Sequence, residues 1–124
     1  MSALSVRAAI LAAMAYDEEL AERLRAVLAR EKGLTEKRMF GGLAFLLGGH
    51  MAVAASGKGG LLLRCDPAET ESLVAEAGAG PFVMRGKEMD GWLYVATDAV
   101  EDDAALQRWV SHGVDYVRGL PPKG

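Results

Sequence analysis

The run Arg38-Met39-Phe40-Gly41-Gly42-Leu43-Ala44-Phe45-Leu46-Leu47-Gly48-Gly49-His50-Met51 constrains the fold more than any other part of the chain. It sets two glycine pairs among aromatic, methionine and leucine residues and contains no acid, hydroxyl or thiol. As chemistry it offers almost nothing. As architecture it marks the start of a sheet, because tight turns between antiparallel strands need positive φ, which glycine adopts at little steric cost. Residues 38–40, 43–47, 50–55 and 60–64 therefore read as short strands, separated by Gly41-Gly42, Gly48-Gly49 and Gly57-Lys58-Gly59. Connections this short give a meander, since βαβ units need a crossover of about a dozen residues or more.

The flanking segments have helical periodicity. Asp17-Glu18-Glu19 places acids at a helix N-terminus, and Leu20, Leu24, Val27 and Leu28 follow at helical spacing. Arg23, Arg25, Arg30 and Lys32 lie toward the other end, where Gly33 reads as the stop. Asp66-Pro67-Ala68-Glu69 starts a short helix through about Glu76, with Leu73 and Val74 facing inward. Gly78-Ala79-Gly80-Pro81 reads as a loop. Phe82–Arg85 and Met89–Ala96 form a final hairpin, with Trp92 and Tyr94 on one face and Leu93 and Val95 on the other. Asp102 or Asp103 caps a closing helix whose stripe is Leu106, Trp109, Val110, Gly113, Val117 and Leu120, and Gly119 with Pro121-Pro122 ends it. The expected architecture is α+β: an antiparallel sheet of about five short strands packed with an N-terminal helix, a short middle helix and a C-terminal helix.

With 124 residues, 51% apolar and 25% charged, the chain can bury one core. Its net charge of −3 counts against direct DNA binding, which normally draws on a basic excess. The single cysteine, Cys65, rules out an internal disulfide framework, fits a reducing compartment and reads as a buried structural thiol. No stretch reaches the roughly 20 apolar residues of a membrane span. Residues 1–13 read as an N-terminal extension, either added helical turns or a start placed ahead of the true one at Met14, with 14–124 as the domain. Ala13-Met14-Ala15 has the pattern of a signal-peptidase site, but the apolar stretch before it is short and carries little positive charge.

Motifs for chemistry fail on spacing. Gly57-Lys58 and Gly86-Lys87 have Ala52 and Pro81 where a phosphate-binding P-loop needs glycine, and a dinucleotide fingerprint from Gly57 would need glycine at Leu62. His50 and His112 have no metal-ligand partner at helical or CxxC spacing. No cofactor or metal is expected and no catalytic residue is assigned, so the chain reads as non-enzymatic. An enzyme using Cys65 is a third and weaker reading. Glu36-Lys37-Arg38 reads as part of a solvated face of alternating charge. Lys37-Arg38, Lys58, Arg64 and Arg85-Gly86-Lys87 would form a basic patch if turns and strand ends shared one edge of the sheet. Trp92, Tyr94, Phe40, Phe45, Met39, Met84 and Met89 would line an apolar groove wherever they are not core.

An ordered set of segments resembles the N-terminal domain of the TfoX/Sxy family, named for regulators of natural competence in bacteria. These are Met14-Ala15-Tyr16-Asp17-Glu18-Glu19-Leu20-Ala21, then Arg38 through Phe45, then Met89-Asp90-Gly91-Trp92-Leu93-Tyr94-Val95, and a closing helix with Trp109 ending in Leu120-Pro121-Pro122-Lys123. The resemblance implies a cytoplasmic bacterial protein with one α+β domain. In the regulators that domain is joined to a helical C-terminal domain and assists a CRP-type activator at competence promoters; this chain reads as a single-domain relative. It implies a regulatory or interaction domain with a protein partner, a CRP-type activator or other transcription machinery, and no catalytic residues. The candidate contact surface is Arg38, Met39, Phe40, Arg64, Arg85, Lys87 and Trp92. A homodimer is left open. The alternative is a small-ligand module with a site between sheet and C-terminal helix, near Trp92 and Trp109.

Overall fold

The computed structural model describes residues 17–39 and 41–121. The N-terminal extension and Phe40 lie outside these. Helix α1, Glu18–Val27, starts where the Asp17 carboxylate accepts the backbone N–H groups of Glu19 and Leu20, and it buries Leu20, Ala21 and Leu24. It ends earlier than Gly33. Residues from Leu28 run in turns instead, with Glu31 N–H donating to the Leu28 carbonyl, and Arg118 pins this segment by pairing with Glu31 and donating to the Lys32 carbonyl. Tertiary anchoring thus takes over where the helical periodicity has already faded, and Gly33, at φ +74°, turns the chain into the sheet.

Six antiparallel strands follow among the described residues: β1 Leu34–Met39, β2 Gly42–Leu47, β3 His50–Ala55, β4 Leu61–Arg64, β5 Ala79–Met84 and β6 Lys87–Val95, in the spatial order β1-β2-β3-β4-β6-β5. The meander is as expected, and Gly48-Gly49 closes the β2–β3 hairpin with both φ values positive. Six strands stand where about five were expected, and the first, read from the sequence as 38–40, begins already at Leu34 because the charged stretch Leu34–Arg38 is paired along its length with β2. Glu36, Lys37 and Arg38 suit an edge strand, where exposed charge discourages pairing with other chains. Ala79–Pro81, expected in a loop, belongs to the other edge strand, where Pro81 costs no central ladder bond.

A 3₁₀ turn at Pro67–Glu69 leads into α2, Thr70–Val74, and a second one at Thr97–Val100 leads to α3, Asp103–Arg118. Asp102 is the α3 cap, accepting from Ala105 N–H, while Asp103 pairs with Arg23 on α1. All three helices pack on one face of the sheet. Leu20 and Leu24 of α1, Leu73 of α2 and Leu106, Trp109 and Val110 of α3 share a core with Phe45, Val53, Leu61, Leu63, Leu93 and Val95. No helix among the described residues is long and apolar enough to cross a membrane.

The seat of α3 is set by a bulge. Phe45 pairs with Val53 but Leu46 pairs with Met51, so Ala52 is an extra residue in β3. Ala52 packs with Leu47 and Val117 on the helix side. A Cβ on Gly113 would stand 2.5 Å from the Ala52 carbonyl oxygen and 2.9 Å from a Leu63 methyl, so the α3 backbone rests directly on the bulge. Gly113→Ala would gain about 1 kcal/mol of helix propensity and lose about 1–3 kcal/mol to overpacking. A rigid backbone oxygen is the obstacle, so the loss dominates. We expect a lower urea midpoint with an unchanged m-value, a net cost of up to about 2 kcal/mol; an equal or higher midpoint would refute this packing.

Candidate interaction surface

Alternation along the strands gives the sheet a second apolar face, away from the helices. Ala44, Met51, Ala54 and Leu62 are buried there beneath partly exposed Met39, Leu46, Phe82, Trp92 and Tyr94. Trp92 and Tyr94 on this face with Leu93 and Val95 on the other is the arrangement expected from the sequence. Phe45 is core on the helix side and cannot line an outer groove. Trp109, 1% exposed, is also on the helix side. Trp92 and Trp109 therefore lie on opposite faces, and the site expected near both, between sheet and C-terminal helix, is not formed: that space is filled by core.

The basic residues do not converge as one patch. Arg38 is exposed on edge strand β1, beside Met39, which is half-buried in the outer cluster. Arg85 and Lys87 belong to the hairpin of the opposite edge, across the three intervening strands of the ladder order. Arg64, at the end of β4, lies between two rings, with its guanidinium 5.3 Å from the Trp92 centroid and 5.4 Å from that of Tyr116. It bolts the sheet end to α3 through cation–π contacts, and is not free for a partner.

What the structure does bring together is Lys58 and Arg85. A groove of about 560 Å³ is lined by Ser56, Lys58, Leu62, Tyr94 and the hairpin residues from Pro81 to Arg85. The hairpin reaches it because the β5–β6 register shifts between Pro81 and Val83, bending the tip. Tyr94 is held as one wall: its hydroxyl donates to the Gly59 carbonyl at 2.8 Å, and Gly60 leaves its ring the room that a Cβ would take. Val83, 52% exposed, is the one large apolar side chain exposed to that degree among the described residues.

Arg85-Gly86 is a two-residue turn with φ +55° and +77°, closing Met84 against Lys87. Turns of this hand favour asparagine or glycine first. Arginine in the left-handed region costs roughly 1–2 kcal/mol, and Arg85 is the one non-glycine residue at positive φ among those described. That unusual arginine before Gly86 was the signal available in the sequence for this groove, together with Lys58. Ser56, Leu62 and Pro81 carried none, because their convergence depends on the hairpin bend.

Titratable groups outside the groove are perturbed. Arg25 holds Glu36 in a two-pronged ion pair at 2.9 Å for each contact, and this hydrogen bonding keeps the carboxyl below its usual value of 4.5. Glu36 is thus anchored to α1 and is more than part of a solvated charged face. Burial pushes the Cys65 thiol up; it lies 3.8 Å from the Thr70 hydroxyl and is 1% exposed, as a structural thiol should be.

Residues 26–116 match the family model of the TfoX N-terminal domain. The chain belongs to the TfoX N-terminal domain family. The match starts inside α1, takes in all six strands and stops two residues short of the end of α3. Met14–Ala21 and Leu120–Lys123 lie outside the matched residues, so the TfoX assignment rests on the sheet and α3. No curated protein and no solved structure matches the chain.

The Arg25–Glu36 pair makes a pH-dependent contribution. Because the folded carboxyl titrates below the unfolded one, the stabilisation is full above the ordinary carboxylate range and is lost as pH falls through the folded value. Wild type should exceed Glu36→Gln in thermal midpoint by a constant margin at neutral pH, and the margin should vanish on acidification below about 4.5. A margin independent of pH would show that the pair does not contribute as an ion pair.

Proposed function

We propose that this TfoX-like domain is a non-enzymatic regulatory module of a bacterial cytoplasm, acting in transcription through contact with a protein partner. A CRP-type activator is the partner class that the family's competence regulators suggest. The observation that carries this reading is the family match across the whole sheet and nearly all of α3. The charge distribution supports protein contact over direct DNA contact: the chain is net −3, and exposed Arg38 stands at one sheet edge while Arg85 and Lys87 stand at the other. Dispersed rim cations of this kind steer encounter with an acidic protein surface more than they fix affinity.

The test uses purified protein and a purified CRP-type activator. Arg38→Glu and the pair Arg85→Glu/Lys87→Glu should each slow association several-fold, with the wild-type rate falling as salt rises and dissociation little changed. Unchanged association in both variants would remove these cations from the interface. Salt-sensitive binding to DNA alone, with none to the activator, would overturn the reading itself.

A further inference from the structure

Apart from Arg85, which the proposed partner contact shares, the outer groove has a chemistry that a protein-contact role does not use. Its floor and walls are apolar, formed by Leu62, Pro81, Phe82, Met84 and the Tyr94 ring. Its polar groups come from two elements that fold toward one another: Ser56 and Lys58 from the β3–β4 turn, and Arg85 from the hairpin tip. No carboxylate among the described residues lines it, although acids outnumber bases in the chain, 17 to 14. Neither the Lys58 nor the Arg85 side chain has a hydrogen-bond or ion-pair partner among the described residues, whereas Arg23, Arg25, Arg108 and Arg118 are all paired with acids. Ser56 is 7% exposed; its oxygen accepts from the Lys58 backbone N–H at 3.1 Å, which leaves the hydroxyl proton to donate.

Arg85 is the second, independent observation. A hairpin turn that needs positive φ would be more stable with glycine or asparagine, and the chain keeps a long cation there in a strained backbone. Strain of that kind marks places where the side chain is wanted for something other than folding.

We propose that this groove binds a small amphipathic monocarboxylate, with its apolar body along Leu62, Phe82, Met84 and the Tyr94 ring and its carboxylate between Lys58 and Arg85. The planar guanidinium presents paired donors to two oxygens, and Lys58 adds a point charge. The apolar lining, which an inorganic phosphate would leave uncovered, favours a ligand with an apolar body. The volume of about 560 Å³ falls in the range of small-molecule sites, about 300–1,000 Å³. This inference goes beyond the protein-contact reading and does not depend on it.

Calorimetry on the full chain with decanoate as the probe tests it, with butyrate and decylammonium as controls. Decanoate should bind, butyrate at least tenfold more weakly for lack of an apolar body, and decylammonium not measurably. Arg85→Gly removes the guanidinium while relieving the backbone, so its thermal midpoint should equal or exceed wild type while decanoate affinity falls at least tenfold. Lys58→Ser should lose affinity without loss of fold. Absence of decanoate binding, equal affinity for decylammonium, or wild-type affinity in Arg85→Gly would each overturn the assignment. The activator contact is measured without the carboxylate and has its own arm at Arg38, which these variants leave untouched.

Discussion

The contact between the backbone of α3 and the bulged carbonyl of Ala52 decides how the rest of the molecule is arranged. Gly113 has no side chain to hold the helix away, so α3 lies on β3 and β4 close enough for Trp109 and Leu106 to join the sheet core. The bulge turns Ala52 toward Val117, giving the helix a second foothold near its C-terminal end. With α1 and α2 packed on the same side, every described helix covers one face. The strand alternation that buries Phe45, Val53, Leu63 and Leu93 toward the helices sends Ala44, Ala54, Leu62 and Tyr94 the other way. Two apolar faces follow from one period-2 pattern, and the second face is where the candidate surface lies.

Much of this was legible in the sequence because it is written in local chemistry. Turn glycines at 48 and 49, caps at Asp17 and Asp102, and the alternation from Trp92 to Val95 each specify a local geometry that tertiary packing then accepts. Misread segments were those whose structure depends on distant partners. Leu34–Arg38 is a strand because β2 pairs with it, though its own composition is that of a charged surface. Residues after Val27 leave the helix in a segment that Arg118, far along the chain, holds by its side chain. The candidate site was half legible for the same reason. Arg85 and Lys58 were visible as cations, but their meeting needs the bend in the β5–β6 hairpin, while Arg64 is taken by two rings that the sequence places far from it.

The energetic asymmetry at the hairpin tip separates this groove from ordinary surface. Exposed residues normally follow the preference of their turn, because nothing opposes it. Arg85 goes against that preference on an acidic protein in which Arg23, Arg25, Arg108 and Arg118 pair with acids and Arg64 with two rings. A groove that combines a fixed tyrosine, an apolar floor and two uncompensated cations is a physical reason for tolerating it.

The most direct test of the claim that the outer face is the working surface is an intermolecular nuclear Overhauser map of the isotope-labelled protein with decanoate. The account predicts contacts from the aliphatic chain to the Leu62 and Met84 methyls and the Tyr94 ring, with none to Leu106 or Val110 on the helix side. Contacts confined to the helix side, or none to the outer face, would contradict it.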